Sequence, residues 1–222
     1  MSRLTDAFDE WVEIARECHV SSGHFTDSEI VVHPGASEQV LQELELEIGY
    51  ELAPEVRELY QHANGMNIGV KGDLFPGTVS FQPIDQPVSK REQVLDLVDI
   101  IRADAPNCQV GPKGLPLQPY TIFEGIDGQV QVECSSAGSG AVSYVFFGNS
   151  LFFWVARSLT RYLEIQVEAF RNGGILWSEE HAYFRAPFGT SYTIGGQQAG
   201  ELTPEQATDR RFSSKGEWRW PG

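Results

Sequence analysis

The sequence predicts an α+β fold, a mostly antiparallel sheet with helices packed on one side, preceded by an N-terminal helix and followed by a C-terminal extension. Three observations support this prediction. Apolar residues recur at spacings of three and four up to about residue 64, period-two strand patterns follow between residues 120 and 155, and one more helical pattern begins near Ser158. Helices gathered at the ends of a run of strands are typical of this class.

The first two predicted helices have clear apolar stripes. A helix over residues 4–18 would bury Leu4, Phe8, Trp11, Val12, Ala15 and Cys18. Residues 19–36 are predicted to form a connector. A second helix, over residues 37–48, would bury Val40, Leu41, Leu44 and Ile48. Gly49 follows where a left-handed cap would end that helix.

A third helix is predicted to begin at Pro54, because the first turn of a helix does not need the amide donor that proline lacks. Its buried face would consist of Val56, Leu59, Tyr60 and Ala63. Asn64 and Gly65 tolerate positive φ, so we expect the helix to end there.

The remaining elements follow from residue 66 onwards. Short apolar pieces lie around residues 74–81, and a helix is predicted over residues 90–102. Strands are expected over residues 120–123, 130–133, 142–147 and 151–155, the last two forming a hairpin. A helix capped by Ser158 follows, and little regular structure is expected after Trp177. We therefore divide the chain into an N-terminal helical extension (1–27), an α+β domain (28–174) and a C-terminal extension (175–222).

The charge of the chain favours some partners over others. The net charge is −15, and residues 1–62 hold fourteen acidic and three basic residues. Such a surface repels phosphate backbones, so nucleic acid is not an expected partner, whereas a basic protein is. No apolar run is long enough for a membrane span, and the acidic N-terminus lacks the layout of a secretory signal, so we expect a cytoplasmic protein without a membrane partner. The alternative interpretation is that the charge serves solubility alone.

The sequence contains no pattern that indicates a metal, a cofactor or a catalytic group. His19, His24 and His33 are spaced so that they share no helical face. Ser139 lies between two glycines without the spacing of a nucleophile elbow. Cys18, Cys108 and Cys134 are far apart and are predicted to be reduced thiols. We therefore expect a protein that is not an enzyme.

The stretch from Leu44 to Gly65 resembles the N-terminal signature of the SUKH superfamily, the Smi/Knr-type domain. The matching residues are Leu44 through Ile48, Gly49, Leu52, Arg57, Leu59, Tyr60, Asn64 and Gly65. Residues 122–147 resemble the central strands of that family, and residues 153–164 resemble its closing strand and helix. Two positions depart from the signature, because Pro54 falls one residue late and Val56 replaces an aromatic residue.

The resemblance implies a binding function. Bacterial members of the family are immunity proteins that neutralise a toxin domain, often a nuclease, and fungal members are regulators of cell-wall synthesis. A basic toxin could bind an acidic patch of Asp73, Asp85, Glu124, Asp127 and Glu133, with Tyr120, Tyr144 or Trp177 as aromatic anchors. The Glu-rich faces of the N-terminal helices are a second possible docking surface. The alternatives are a scaffold or regulator without a toxin, and a small-molecule-binding protein or hydrolase.

Overall fold

The computed structural model describes residues 2–21, 31–67, 80–84, 118–124, 128–136, 140–146 and 151–171, together with four three-residue strands beyond them. The helices are α1 (Arg3–Ser21), α2 (Glu38–Ile48), α3 (Pro54–His62) and α4 (Leu159–Arg171). The longer strands are β1 (Val31–Pro34), β2 (Ala63–Asn67), β4 (Pro119–Glu124), β5 (Gly128–Glu133), β6 (Val142–Phe146) and β7 (Leu151–Ala156), with a two-residue β3 (Ser80–Phe81). This is the α+β fold that the sequence predicts.

The ends of α2 and α4 follow the predicted capping residues. The Ser37 hydroxyl accepts a hydrogen bond from the Val40 amide at 3.4 Å, and Gly49 adopts φ 78° and donates its amide to the Glu45 carbonyl. The Ser158 hydroxyl accepts from the Arg161 amide at 3.1 Å. One detail of the predicted stripe of α2 is wrong: Val40 is 37 % exposed, because it lies at the edge of the arc on which Leu41, Leu44 and Ile48 are buried.

The end of α3 differs from the prediction. The helix ends at His62, Ala63 is extended at φ −147°, and the chain enters β2 without a left-handed cap. Strand β2 pairs antiparallel with β1, and two of its residues, Asn64 and Gly65, stand opposite His33 in a bulge. Gly65 does adopt a positive φ of 87°, but inside the strand. Residues 31–34, predicted as connector, form the partner strand that makes this possible.

Five strands form one antiparallel sheet in the order β3-β4-β5-β6-β7. Each strand pairs with its neighbour in the chain, and the predicted hairpin is the β6–β7 pair, in which Phe146 lies opposite Leu151. Val130 and Val132 lie on one face of β5, and Gln129, Gln131 and Glu133 alternate with them on the other. All five side chains are buried, so both faces of the sheet are covered at β5.

An aromatic cluster joins three helices to the sheet. Its members are Phe8 and Trp11 of α1, Tyr60 of α3, Phe81, Tyr120 and Phe123 of the sheet, and Tyr162 of α4. Neighbouring ring centroids lie between 5.1 Å (Tyr60 and Phe81) and 6.0 Å (Phe123 and Tyr162) apart. Helix α1 therefore belongs to the same core as residues 53–167, and a division at residue 27 does not separate two cores.

The C-terminal segment contains more strand than the sequence predicts. Strands β8 (Leu176–Ser178) and β9 (Tyr183–Arg185) form one hairpin, and β10 (Tyr192–Ile194) and β11 (Gln197–Ala199) form another. The predicted helix over residues 90–102 and the short apolar piece around residues 74–75 lie outside the described residues. Among the helices that are described, none combines the length and the apolar character that crossing a bilayer requires.

Cys134 connects the end of β5 to the start of α3. Its buried Sγ accepts a hydrogen bond from the Ala53 amide at 3.4 Å and donates to the Val132 carbonyl at 3.6 Å. Burial raises the pKa of this thiol from 9.0 to about 12. The raised pKa and the hydrogen-bonded position make Cys134 a structural residue, because a reactive cysteine needs a lowered pKa.

The buried thiol predicts a stability loss at alkaline pH. Its contribution is complete below pH 9.0 and is lost as the pH rises towards about 12, because only the unfolded chain releases the proton in that range. We expect the stability advantage of the wild type over Cys134→Ala to shrink by about 1.4 kcal/mol per pH unit above pH 9. Urea unfolding of both proteins between pH 8 and pH 11 measures this difference, and a constant difference would contradict the assignment.

Candidate protein-binding surface

The acidic residues of the N-terminal part fall into two groups. Those of the first group contact histidine or arginine side chains of other turns or elements. His62 contacts Asp9 at 2.7 Å, Arg171 pairs with Glu10, and Arg16 pairs with Glu13 at 2.5 Å. The His62 and Arg171 contacts join α1 to α3 and to α4, and the two arginines neutralise Glu10 and Glu13 within the fold.

Arg57 neutralises a second set of carboxylates between α2 and α3. Its guanidinium donates to Glu45 at 2.5 Å and also to Glu38. The other Glu45 oxygen accepts from the Leu52 amide at 2.8 Å, so this carboxylate also holds the α2–α3 link in place. Hydrogen bonds from Gln42 and from Arg57 lower the pKa of Glu38, and the hydrogen bond to Glu45 raises the pKa of Arg57. The Arg57 of the SUKH-like signature thus fixes α2 to α3.

Glu55 links α3 to the N-terminus of α4. Its carboxylate accepts from the Leu159 amide at 2.6 Å and from the Thr160 hydroxyl at 2.7 Å. Backbone amides at a helix N-terminus favour a negative charge, so Glu55 of α3 caps α4 from outside. This carboxylate is engaged and does not contribute to a free acidic surface.

The second group has no salt-bridge partner among the described residues. Apart from Glu55, which is hydrogen-bonded to the start of α4, it comprises six carboxylates in residues 1–62, all exposed or partly exposed: Asp6, Glu17, Glu43, Glu47, Glu51 and Glu58. Gln39 donates to Glu43 at 2.9 Å, but an amide leaves the negative charge in place. The uncompensated charge is therefore spread over the solvent side of the N-terminal helices, with two of its members one turn apart on α2.

All residues of the outer face of α2, defined here as Gln39, Gln42, Glu43, Leu46 and Glu47, are exposed. At 100° per residue these positions lie within about 140° of arc, opposite Leu41, Leu44 and Ile48. Leu46 is 83 % exposed, the highest value among the large apolar side chains that the structure describes. The outer face therefore carries one protruding apolar side chain, Leu46, with two carboxylates on one side of it and Gln42 on the other.

Two local features of the outer face lower the stability of α2 in the absence of a partner. Glu43 and Glu47 are like charges at i and i+4, a pairing that destabilises a helix. Glu47 also lies in the last turn, which contains no basic residue and where the helix dipole favours a positive charge. Residues that work against local stability are common where a surface serves a function.

Glu47→Lys is predicted to stabilise the isolated protein. The substitution removes a repulsion, creates a favourable Glu43–Lys pair and places a cation at the C-terminus of α2. We expect a gain of about 0.5–1.5 kcal/mol and a rise in Tm of about 2–4 °C. Differential scanning calorimetry of the variant, with Glu47→Gln as a control for charge removal alone, measures the effect. A lower Tm for the lysine variant would show that Glu47 has a stabilising contact.

Two of the residues predicted to contact a partner are not on the surface. Tyr120 is 3 % exposed and packs edge-on against Tyr60 in the aromatic cluster. Glu133 is 1 % exposed, and its Oε1 accepts from the amides of Gln118 and Ser135, both at 2.9 Å. Both predictions are wrong for the fold as it stands, because the side chains are engaged inside it.

The other members of the predicted patch are placed only in part. Glu124 is half-buried at the end of β4, opposite Gln129. Tyr144 lies in β6 and Trp177 in β8, but only their backbones are described. Asp73, Asp85 and Asp127 lie outside the described residues. The six carboxylates without a salt-bridge partner lie instead on the solvent side of the N-terminal helices, which is the second docking surface that the sequence suggested.

Leu46 is the residue of this surface that the sequence reasoning missed, although its signal is present. Its place on the helical wheel, opposite the buried stripe, marks it as an exposed leucine.

Among the described residues, no cluster of histidine, cysteine or carboxylate side chains could hold a metal ion. No known family model matches the chain, and no curated protein matches it either.

Proposed function

We propose that this protein is a non-catalytic binding module that acts in the cytoplasm as an immunity protein, neutralising a basic toxin domain. The observation that carries the proposal is the set of six carboxylates of residues 1–62 that have no salt-bridge partner in the described part of the chain and, unlike Glu55, do not cap another helix. With a net charge of −15, this surface attracts a basic protein and repels nucleic acid.

The resemblance to the SUKH superfamily supports the same proposal. Its signature residues from Leu44 to Tyr60 form the α2–α3 unit, in which Gly49 caps α2 and Arg57 joins the two helices, while Asn64 and Gly65 lie in β2. The buried ionisable groups that could suggest catalysis have structural partners: Cys134 bonds to the α3 entry and Glu133 accepts two backbone amides. A preformed surface of this kind lowers the entropic cost of binding a partner.

Co-expression tests the proposal. Candidate toxin domains encoded by neighbouring genes are expressed one at a time: cells should survive the cognate basic domain when this protein is made with it, and should not survive a toxin domain of unrelated sequence. Calorimetry should then show that the two purified proteins form a complex. Survival without complex formation would indicate an enzyme acting on the toxin or its product, and the absence of both would favour the regulator without a toxin.

A further inference from the structure

We infer that the outer face of α2 is the docking surface, that Leu46 is its central apolar contact, and that the partner is a basic protein with an apolar pocket bordered by lysine or arginine. This inference rests on the proposed function and adds the place and the chemistry of the contact. It depends on the described residues of α2 and its two neighbouring loops.

Helix α2 is held rigidly in the fold. Helix α2 is capped at both ends, by Ser37 and by Gly49. Arg57 ties it to α3 through Glu38 and Glu45, while Leu41, Leu44 and Ile48 anchor its inner face in the core. The outer face is therefore held in one orientation before any partner arrives, which favours binding of a helix face in a groove.

The outer face of α2 also carries negative charge that no salt bridge among the described residues neutralises. Arg57 engages the carboxylates on the flank of α2, whereas Glu43 and Glu47 on its outer face have no salt bridge among the described residues. The carboxylates of α1 at Asp9, Glu10 and Glu13 are paired within the fold. A cationic partner consequently gains more from α2 than from the corresponding side of α1.

Leu46 lies beside these charges on the outer face of α2, with Gln42 on its other side. Burying its exposed side chain in a partner removes apolar surface from water, and the flanking carboxylates can meet cations at the border of the pocket. A Cβ added at the neighbouring Gly49 would meet no atom within 4 Å, so space beside Leu46 is open to a partner. The apolar centre at Leu46 and the charged residues at its border together match the usual layout of a protein interface.

Dissociation kinetics test the role of Leu46. Leu46→Ala should dissociate from the toxin domain identified by the co-expression test about 10- to 100-fold faster than the wild type, with an unchanged unfolding midpoint. The matched control is Val40→Ala on the edge of the same helix, for which we expect less than about a threefold change. Equal dissociation rates for wild type and Leu46→Ala would overturn the assignment while leaving the proposed function intact.

A second measurement needs no identified toxin. An oligolysine peptide titrated at low salt should shift the backbone NMR signals of residues 39–51 more than those of α1 and α4. Larger shifts on α1 or α4 would place the cation-binding surface elsewhere and overturn the inference. If the toxin domain fails to bind while the peptide shifts residues 39–51, the proposed toxin is wrong and the acidic surface stands.

Discussion

Trp11→Ala is expected to lower the free energy of unfolding by about 3–5 kcal/mol, the range for a large aromatic side chain removed from a core. Trp11 is 2 % exposed, its ring stacks on Phe8 with centroids 5.9 Å apart, and it meets Phe123 of the sheet edge-on at 5.5 Å. The substitution would leave a cavity where α1 meets the sheet. We expect Tm to fall by about 10 °C or more.

Urea unfolding followed by far-UV circular dichroism measures this loss. Asp6→Ala on the exposed side of α1 is the control, and it should change stability by less than about 0.5 kcal/mol. If α1 were an extension outside the core, Trp11→Ala would cost less than about 1 kcal/mol. That small loss would contradict the shared aromatic cluster, which joins α1 to residues far along the chain.

Gly65→Ala is the second substitution with a large expected effect. Gly65 has φ 87°, and a Cβ there would lie 2.7 Å from the Pro83 backbone nitrogen. Both the left-handed backbone and the contact with a neighbouring segment oppose alanine, so we expect a loss of about 2–5 kcal/mol. Thermal and urea unfolding of the purified variant measure it.

Gly49→Ala separates the two causes. Gly49 has a similar φ of 78°, but an added Cβ would meet nothing within 4 Å. Only the backbone strain remains, so the loss should be about 1–2 kcal/mol. Equal losses for Gly49→Ala and Gly65→Ala would show that the Pro83 contact is unimportant, and that the bulge of β2 can move away from it.

Local signals predicted the helices and the hairpin well. The stripes of α1 and α4 and the caps at Ser37, Gly49 and Ser158 follow from residues within one or two turns of each other. The end of α3 could not be predicted in this way. Ala63 continues into β2 because Pro34 and Val32 of β1 pair with that strand, and no local property of Asn64 or Gly65 reveals such a partner.

The candidate surface was predictable only in outline. The Glu-rich composition of the first two helices is visible in the sequence, but which charges are neutralised depends on contacts between distant elements. Arg171 reaches Glu10, and Arg57 reaches Glu38 and Glu45. Glu133 is predicted as a carboxylate of the acidic patch, yet the amides of Gln118 and Ser135 hold it inside. The ion pairs and hydrogen bonds of the folded chain therefore decide which carboxylates remain free on the surface.

The association rate with the basic toxin domain tests most directly whether α2 attracts its partner by charge. For the wild type we expect this rate to fall about tenfold or more from low to high salt. Glu43→Lys/Glu47→Lys, which should fold at least as stably, is expected to associate about tenfold more slowly at low salt and to lose most of the salt dependence. An association rate that neither salt nor this double substitution changes would contradict the central claim.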